Sequence, residues 1–408
     1  MKIKTEVVSR PLPAVWRWAK LGNLGDFQSG GTPRRGVPEY YGGSILWAKI
    51  EDLTKAGKWI DKTEETITEK ALQETSACIF PTDTVLFAMY GSIGTCSIVR
   101  TPLTTNQAIL GCQCSPELHP EFLYYWFSSQ KKVFLKLGRG GTQANLNAEM
   151  VQSFQIPLPS LSQQQEIVSA LNNQMVEAQR LRLAAERQLE ATQLAFNACI
   201  RETFNDKAVT SSQEHPMGAI CDIVARQVTP TGDDYKNLPH VSSEHIESIT
   251  ARLLPLRSAK EDNVVSGNYL FSPGEVLYSK IRPYLRKVAM VDFRGVCSAD
   301  IYPLRPNTER VHPRWLMWLL VSEPFTNYAI GESKRTRMPK LNRDQLFRWS
   351  FHLPDIDTQT RLVRKLDSQV AELSHIRQVA GKQLEATNAL PQAILKETFG
   401  GLTPPAED

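Results

Sequence analysis

Two long amphipathic runs are the clearest pattern in the chain. In each run, hydrophobic or small residues recur at steps of three and four, the spacing of a helix face that packs on a partner. In the first run these positions are Ile167, Leu171, Gln174, Ala178, Leu181, Ala185, Leu189, Thr192, Phe196 and Cys199. In the second they are Leu362, Leu366, Gln369, Leu373, Ile376, Ala380, Leu384, Thr387, Pro391 and Ile394. The pattern predicts two long helices, each requiring a partner.

Both runs belong to an internal duplication. The segment from Leu146 to Phe204 matches the segment from Leu341 to Phe399 without gaps, at an offset of 195 (341 less 146), with 20 identities in 59 pairs. Weaker matches keep the same order upstream, at 84–99 with 275–290 and at 119–129 with 312–322. Each predicted helix therefore follows a globular unit of its own, and the two units share a fold.

Chain connectivity predicts the direction of the helices. The first helix leaves one unit and enters the other, so the second can pair with its copy only by running back. We expect an antiparallel coiled coil with pseudo-two-fold symmetry, whose length fixes the separation of the units. The alternative is two separate surface helices. Pro391 replaces Phe196 in the repeat and predicts a bend or interruption near the end of the second helix.

The globular units combine alternating β-branched runs with short helices and many loops rich in glycine and proline, which predicts an α+β fold. Each unit has the size of a domain. The predicted segments are a first globular domain at 1–159, a central helix at 160–205, a second globular domain at 206–354, a C-terminal helix at 355–400 and a tail at 401–408.

Composition narrows the class of protein. The net charge is +4, from 47 Lys+Arg against 43 Asp+Glu, which permits nucleic-acid binding without requiring it. The 7 cysteines include no C-x-x-C pair and are typical of reduced thiols. The longest apolar run, 315–321, is too short to span a bilayer. We predict a cytoplasmic protein with no membrane partner.

Motifs for catalysis are absent from the sequence. It contains no Walker loop, no G-x-G-x-x-G and no Asn-Pro-Pro-Tyr motif for adenine methylation, so we predict no catalytic residue and no bound cofactor. Cys112 and Cys114 near His119, and His240 with His245, lack the ligand spacing of known zinc sites. We interpret them as ordinary side chains and predict no metal.

Loops of the first unit supply chemistry suited to DNA. Arginine matches guanine edges and the side-chain amides of Asn and Gln match adenine, while glycines permit unusual backbone angles and close approach to phosphates. Asn106 and Gln107 have a second interpretation, as caps of buried strands. The candidates are Gly30, Gly31, Thr32, Arg34, Arg35, Tyr90, Gly91, Ser92, Asn106, Gln107, Arg139, Gly140, Thr142, Gln143 and Asn145.

The corresponding loops of the second unit are more basic. One lies at 278–287, where cations alternate with tyrosines, and the other at 331–340, directly before the repeated Leu-Asn pair. Phosphate contact is the predicted role, and a solvated charged turn is the alternative for the second loop. The candidates are Lys280, Arg282, Tyr284, Arg286, Lys334, Arg335, Thr336, Arg337 and Lys340.

These features resemble the specificity subunits of type I restriction-modification systems. The resemblance is carried by SGGTPRRGVPEYYGG (29–43), ILWAKIEDL (45–53), YGSIG (90–94), TTNQAI (104–109), GGTQANLN (140–147) and IPLPSLSQQQEIV (156–168). The second half lacks the Gly-Gly-Thr-Pro and Thr-Thr-Asn-Gln strings. That divergence predicts that the two halves read different DNA sequences.

The resemblance implies a non-catalytic subunit in which each recognition domain reads one half of a bipartite, asymmetric site in double-stranded DNA. It further implies that the helices set the spacer and dock two methyltransferase subunits, and that restriction-translocase subunits join the complex. S-adenosylmethionine, ATP and Mg would then be held by those partners. The competing hypotheses are a fragment of a fused restriction-methylation enzyme and a scaffolding coiled-coil protein that does not bind DNA.

Overall fold

The chain folds into two compact units. A computed structural model describes residues 12–13, 15–137, 145–224, 226–333, 339–400 and 402. Unit 1 comprises Met1–Leu183 with Glu385–Asp408, and unit 2 comprises Ala184–Leu384. Each unit is built from β-sheets, short helices and one segment from each of two long helices. The predicted α+β class with two long helices is confirmed.

Unit 1 contains a five-stranded sheet, a three-stranded sheet and a two-stranded ribbon, in the orders β2-β9-β6-β7-β4, β5-β3-β8 and β1-β10. Its strands are β1 (Arg17–Lys20), β2 (Gly25–Ser29), β3 (Tyr41–Ala48), β4 (Trp59–Ile60), β5 (Glu65–Ile67), β6 (Val85–Ala88), β7 (Cys96–Val99), β8 (Thr104–Thr105), β9 (Ile109–Cys114) and β10 (Gln155–Leu158). Its short helices are α1 (Ile50–Ala56), α2 (Glu69–Glu74), α3 (Pro120–Leu137) and α4 (Ala148–Ser153).

Strand register brings several loops of unit 1 to one edge of the large sheet. Ser29 lies opposite Leu110 in the antiparallel β2–β9 pair, and Ala88 lies opposite Ile109 in the β6–β9 pair. The end of β2, the start of β9 and the end of β6 therefore meet at the same edge. We call the loops that leave this edge, 30–35, 89–95 and 104–108, rim 1.

Unit 2 repeats this plan with a four-stranded sheet, β12-β20-β17-β18, and adds the sheet β13-β16-β19-β14-β15 and the ribbon β11-β21. Its strands are β11 (Glu214–Pro216), β12 (Cys221–Ile223), β13 (Gln227–Val228), β14 (Pro239–Val241), β15 (Arg257–Ser258), β16 (Asn268–Phe271), β17 (Val276–Ser279), β18 (Val288–Met290), β19 (Gly295–Ser298), β20 (Ile301–Pro306) and β21 (Ser350–His352). Its short helices are α6 (Lys207–Thr210), α7 (Pro313–Val321), α8 (Glu323–Ser333) and α9 (Arg343–Arg348).

The equivalent edge of unit 2 lies where β17 ends and β20 begins. Ser279 is opposite Ile301 in the antiparallel β17–β20 pair, just as Ala88 is opposite Ile109 in unit 1. We call the loop that follows β17, 280–287, together with Pro339 and Lys340, rim 2. These two residues join the loop because Arg282 donates its N–H to the Pro339 carbonyl at 2.9 Å.

The long helices are α5 (Leu161–Phe204) and α10 (Ile356–Phe399), each of 44 residues. α10 continues through Pro391, so the predicted interruption does not occur. Proline removes a single backbone donor, and burial of Leu395 and Phe399 in the core of unit 1 beyond it offsets that loss.

Each unit holds the opposite ends of the two helices. In unit 1, Leu171 near the start of α5 shares a core with Phe399 at the end of α10, whose ring lies 5.5 Å from that of Phe122. In unit 2, Lys365 near the start of α10 donates to Glu202 near the end of α5 at 2.9 Å. Within each unit the paired segments therefore come from opposite ends, as an antiparallel pair requires. Among the described helices, none is long and apolar enough to cross a membrane.

Candidate nucleic-acid interface

A buried glutamine joins the recognition domain of unit 1 to its long helix. The Gln164 side chain is fully buried and accepts the His119 N–H at 2.8 Å. Its amide nitrogen donates to the carbonyls of Glu117 and Pro159, at 2.8 and 3.0 Å. One side chain thus joins the first turn of α5 to the loop before α3 and to the end of β10.

Gln359, 195 residues later, makes the same three bonds in unit 2. It accepts the His312 N–H at 2.9 Å and donates to the carbonyls of Arg310 and Pro354, at 3.1 and 2.7 Å. It is also fully buried. Each unit therefore has an equivalent connection between its globular part and the start of a long helix.

A second, less similar contact supports each connection. In unit 1, Asn172 on α5 accepts the Tyr125 hydroxyl at 2.6 Å and hydrogen-bonds with Glu121. At the repeat position in unit 2, Asp367 accepts from the Trp318 indole at 2.8 Å and forms an ion pair with Arg314. The position is retained, but its charge differs between the units.

Close packing explains the two glycines at the start of rim 1. Gly30 and Gly31 donate to the carbonyls of Ile109 and Thr105, at 3.1 and 2.9 Å. A Cβ atom on Gly30 would lie 2.0 Å from Thr105 Oγ1, and one on Gly31 would lie 2.5 Å from Ala77 N. Neither has a positive φ, so the expected unusual backbone angles are wrong here. These buried glycines allow the loop to pack against the sheet.

Polar side chains of rim 1 lie beside these glycines. The Thr32 hydroxyl donates to the Gln107 side-chain carbonyl, and both residues are exposed. Asn106 accepts the Ala108 N–H at 3.1 Å, a local turn that matches the capping interpretation of this residue. Gln107 keeps its amide group on the surface, available to a base edge.

Arg35 already has protein partners. Its guanidinium forms an ion pair with Glu65 and lies 4.8 Å from the Tyr41 ring centroid and 5.1 Å from that of Trp47. Hydrogen bonds from Arg35 and then Lys49 lower the pKa of Glu65 to about 2. Arg34 and Arg35 are both exposed, and Arg35 is positioned by these contacts.

The turn after β6 and the turn after β17 share an unusual backbone conformation. In unit 1 the left-handed positions are Gly91 and Gly94, with φ of 61° and 79°. In unit 2 they are Arg282 and Arg286, with φ of 49° and 48°. Side-chain-bearing residues rarely adopt this conformation outside functional or tightly constrained sites.

The same anchor holds both turns. The Leu146 N–H donates to the Met89 carbonyl at 3.0 Å, and the Leu341 N–H donates to the Lys280 carbonyl at 2.9 Å. In unit 1 this brings the exposed Asn145 to the half-buried Tyr90 and the exposed Ser92. At this turn, rim 1 therefore presents amide and hydroxyl groups.

Rim 2 presents cations at the same place. Lys280 is buried, with its ammonium 4.7 Å from the Tyr302 ring centroid, and burial lowers its pKa. Lys340 and Arg343 lie near enough to lower that pKa further. Arg343, exposed in the first turn of α9, did not figure among the sequence candidates. Its position three residues after Lys340, following an Asn cap, was the available signal.

Two other candidates of unit 2 differ in accessibility. Tyr284 is 53% exposed and can reach a ligand directly. Arg286 is half-buried and donates to Asn197 on α5 at 2.9 Å, which ties the turn to the helix. Eight further candidates, in the loops before Asn145 and Pro339, lie outside the described residues: Arg139, Gly140, Thr142, Gln143, Lys334, Arg335, Thr336 and Arg337.

The fold brings one group of possible metal ligands together within the described ranges: His240, His245 and Asp262, with ligand atoms within 4.8 Å of one another. His240 Nδ1 lies 2.8 Å from Asp262 Oδ2, and His245 Nδ1 accepts the Ser242 N–H at 3.0 Å. A metal at His245 Nε2 would require a proton on Nδ1, which already accepts that hydrogen bond. The arrangement fits a hydrogen-bonded loop cap.

Comparison with known proteins finds chains that are similar to this one. Residues 13–181 match the type I restriction modification DNA specificity domain. The chain is 28% identical over 314 residues to the EcoDI specificity subunit of Escherichia coli, covering 69% of each chain. It is 34% identical over 164 residues to the MjaIX specificity subunit of Methanocaldococcus jannaschii, covering 40% of this chain and 38% of that one. Over these lengths, the chain is similar to type I restriction-modification specificity subunits.

Two solved structures share the fold of this chain. A chain from a study of complex assembly in the type I R-M system aligns with a TM-score of 0.74 at 19% identity, covering 96% of this chain and 99% of that one. The HsdS subunit of Thermoanaerobacter tengcongensis aligns with a TM-score of 0.59 at 19% identity, covering 96% and 98%. At 19% identity, these two likenesses show a shared fold.

Proposed function

We propose that rim 1 and rim 2 each read one half of a bipartite, asymmetric site in double-stranded DNA. The observation that carries this proposal is the corresponding turn of the two units: the left-handed residues near its two ends are Gly91 and Gly94 in one unit and Arg282 and Arg286 in the other. Corresponding turns thus present two chemistries. Amide and hydroxyl groups suit base edges, and dense cations suit phosphates and guanine.

The long helices carry the rest of the proposed function. They set the unread spacer between the half-sites and dock two methyltransferase subunits, which restriction-translocase subunits join. The near-identical glutamine anchors support this, because equivalent connections would present equivalent helix surfaces to identical partners. S-adenosylmethionine, ATP and Mg would be bound by those partner subunits, in the cytoplasm.

The decisive experiment maps methylated adenines across the genome with and without this gene. The expected result is one asymmetric, two-part motif whose methylation disappears with the gene. A second strain, in which both helices are lengthened by one matched turn, should keep both half-sites and lengthen the spacer. An unchanged spacer with both half-sites still read would refute the spacer role.

Charge removal tests the assignment of rim 2. The double substitution of Arg282→Gln and Lys340→Gln should relax or abolish recognition of one half-site and leave the other unchanged. Arg294→Gln is the matched control, because Arg294 is exposed in unit 2 but follows β18 at the opposite edge of the sheet. Equal effects of the double variant and the control would contradict the assignment. No salt-dependent gel shift at low salt, with the methyltransferase subunit present, would favour the scaffold hypothesis.

A further inference from the structure

Unit 1 contains a cavity of about 520 Å³ that no step of DNA recognition uses. Its walls come from α1, α3, the turn at Gly94–Cys96, the start of α5 and the end of α10. All of these segments belong to unit 1. The volume falls within the range of small-molecule sites in proteins, about 300–1,000 Å³.

Two departures from the internal repeat account for this space. Pro391, which lines the cavity, replaces Phe196, which is fully buried in unit 2. Gly94, which also lines it, holds the left-handed position that Arg286 holds in unit 2. In unit 2 the Arg286 side chain reaches Asn197, whose repeat partner Gln392 lines the cavity of unit 1. In unit 2, a phenyl ring and a guanidinium thus fill the space that is open in unit 1.

Charge and polarity of the lining indicate the class of ligand. Three cationic residues, Lys58, Lys131 and Arg182, line the cavity, and no carboxylate is among its lining residues. Lys58 is balanced by Glu121. Lys131 donates to Thr95 Oγ1 at 3.1 Å and, within the described part of the chain, forms no ion pair.

The remaining walls supply apolar and aromatic surface. Leu53, Leu395 and the rings of Tyr124 and Tyr125 line the same space. Burial raises the pKa of Tyr125 to about 12 and that of Cys96 to about 11, so both groups are neutral there at physiological pH. A neutral, partly apolar wall beside Lys131 favours a molecule with an apolar body and one negative group.

We propose that this cavity binds a small organic anion that carries an aromatic or aliphatic body. The anionic group lies against Lys131, and the body occupies the volume that Phe196 and Arg286 fill in unit 2. None of the candidate DNA-contacting residues lines this cavity. The turn at 89–95 belongs both to rim 1 and, through Gly94, to the cavity wall, so occupancy and DNA binding are expected to influence each other.

A fluorescence titration of the full chain with 1-anilinonaphthalene-8-sulfonate tests the site. This probe has an aromatic body and one sulfonate, and it fluoresces when it leaves water. Wild-type protein should show saturable binding with one probe per chain. Pro391→Phe restores the residue of the other repeat, removes a proline from a helix and fills the cavity, so binding should fall at least tenfold.

Further variants test separately how the open volume of the cavity and the charge of its lining affect probe binding. Asn388→Phe, at an exposed helix position on the lining, provides a second filling variant that leaves the proline in place. Lys131→Gln should weaken binding severalfold, whereas Lys132→Gln, its exposed neighbour on α3, should not. Wild-type affinity in both filling variants, with unchanged melting temperatures, would overturn the site. Equal affinity in the two lysine variants would overturn the anionic class.

Discussion

Replacement of the buried glutamine by leucine is the sharpest test of how each recognition domain is fixed to its helix. Gln359→Leu keeps the approximate volume but removes three hydrogen bonds, to His312 N and to the carbonyls of Arg310 and Pro354. Each buried group left without a partner costs about 1–3 kcal/mol, and the added apolar surface recovers part of that loss. We expect a net loss of about 3 kcal/mol in the free energy of unfolding of unit 2.

Calorimetry of the full chain measures this effect. For a unit of about 200 residues, 1 kcal/mol shifts the melting temperature by about 2–4 °C, so unit 2 should melt about 6–12 °C lower. Gln164→Leu should lower the melting of unit 1 by a similar amount, because the three contacts are the same. Gln165→Leu, at the exposed neighbouring position, is the control. A shift no larger than that of the control, in either unit, would refute the account of the anchor.

Four further predictions concern charge and packing. Glu65→Gln should flatten the pH dependence of thermal stability below about pH 4.5. Because the pKa of Glu65 is lowered in the fold, its ionised form stabilises the protein at pH values above the ordinary pKa of a glutamate, and this stabilisation is lost as the pH falls towards 2. Lys340→Gln should reduce the slope of log affinity against log salt by about 0.9 if this side chain contacts a phosphate, a change that a salt series of gel shifts measures. Gly31→Ala should destabilise unit 1 by about 1–3 kcal/mol in denaturant titration, because its Cβ meets backbone at 2.5 Å, whereas Gly36→Ala should be neutral because its Cβ meets nothing. Asp367→Ala should lower the free energy of unfolding by about 2–4 kcal/mol, because it leaves the N–H donors of Arg314 and of the Trp318 indole without an acceptor. A loss below 1 kcal/mol would contradict that view.

Much of the architecture follows from sequence periodicity. The seam positions Leu171, Ala178, Ala185 and Leu366 are buried, as their spacing predicts. Such positions are predictable because a helix that buries one stripe must repeat apolar residues every three to four positions. The antiparallel direction was equally accessible, because it depends only on chain order.

Side-chain partners were less predictable, because they depend on residues distant in sequence. Arg35 reads as a free cation in the sequence but pairs with Glu65, thirty residues away. Arg286 likewise reads as a surface cation but contacts Asn197, 89 residues away. Gly30 and Gly31 read as flexible, yet the close approach of Thr105 and Ala77 requires them. These contacts arise from the packing of segments that are distant in sequence, which a single sequence does not specify.

The glutamine anchors touch only main-chain atoms of the domain: an amide and two carbonyls in each unit. Because each glutamine bonds only to peptide groups, these hydrogen bonds do not depend on the side chains that those residues carry. The residues at 117 and 119 are Glu and His in one unit, and their counterparts at 310 and 312 are Arg and His, yet the hydrogen bonds to the glutamine are the same. The segments at 117–119 and 310–312 can therefore change their side chains while both glutamines stay the same. The contact at Asn172 and Asp367 differs in this respect, because it joins side chains of helix and domain, and its helix residue changes along with the domain residues that it contacts.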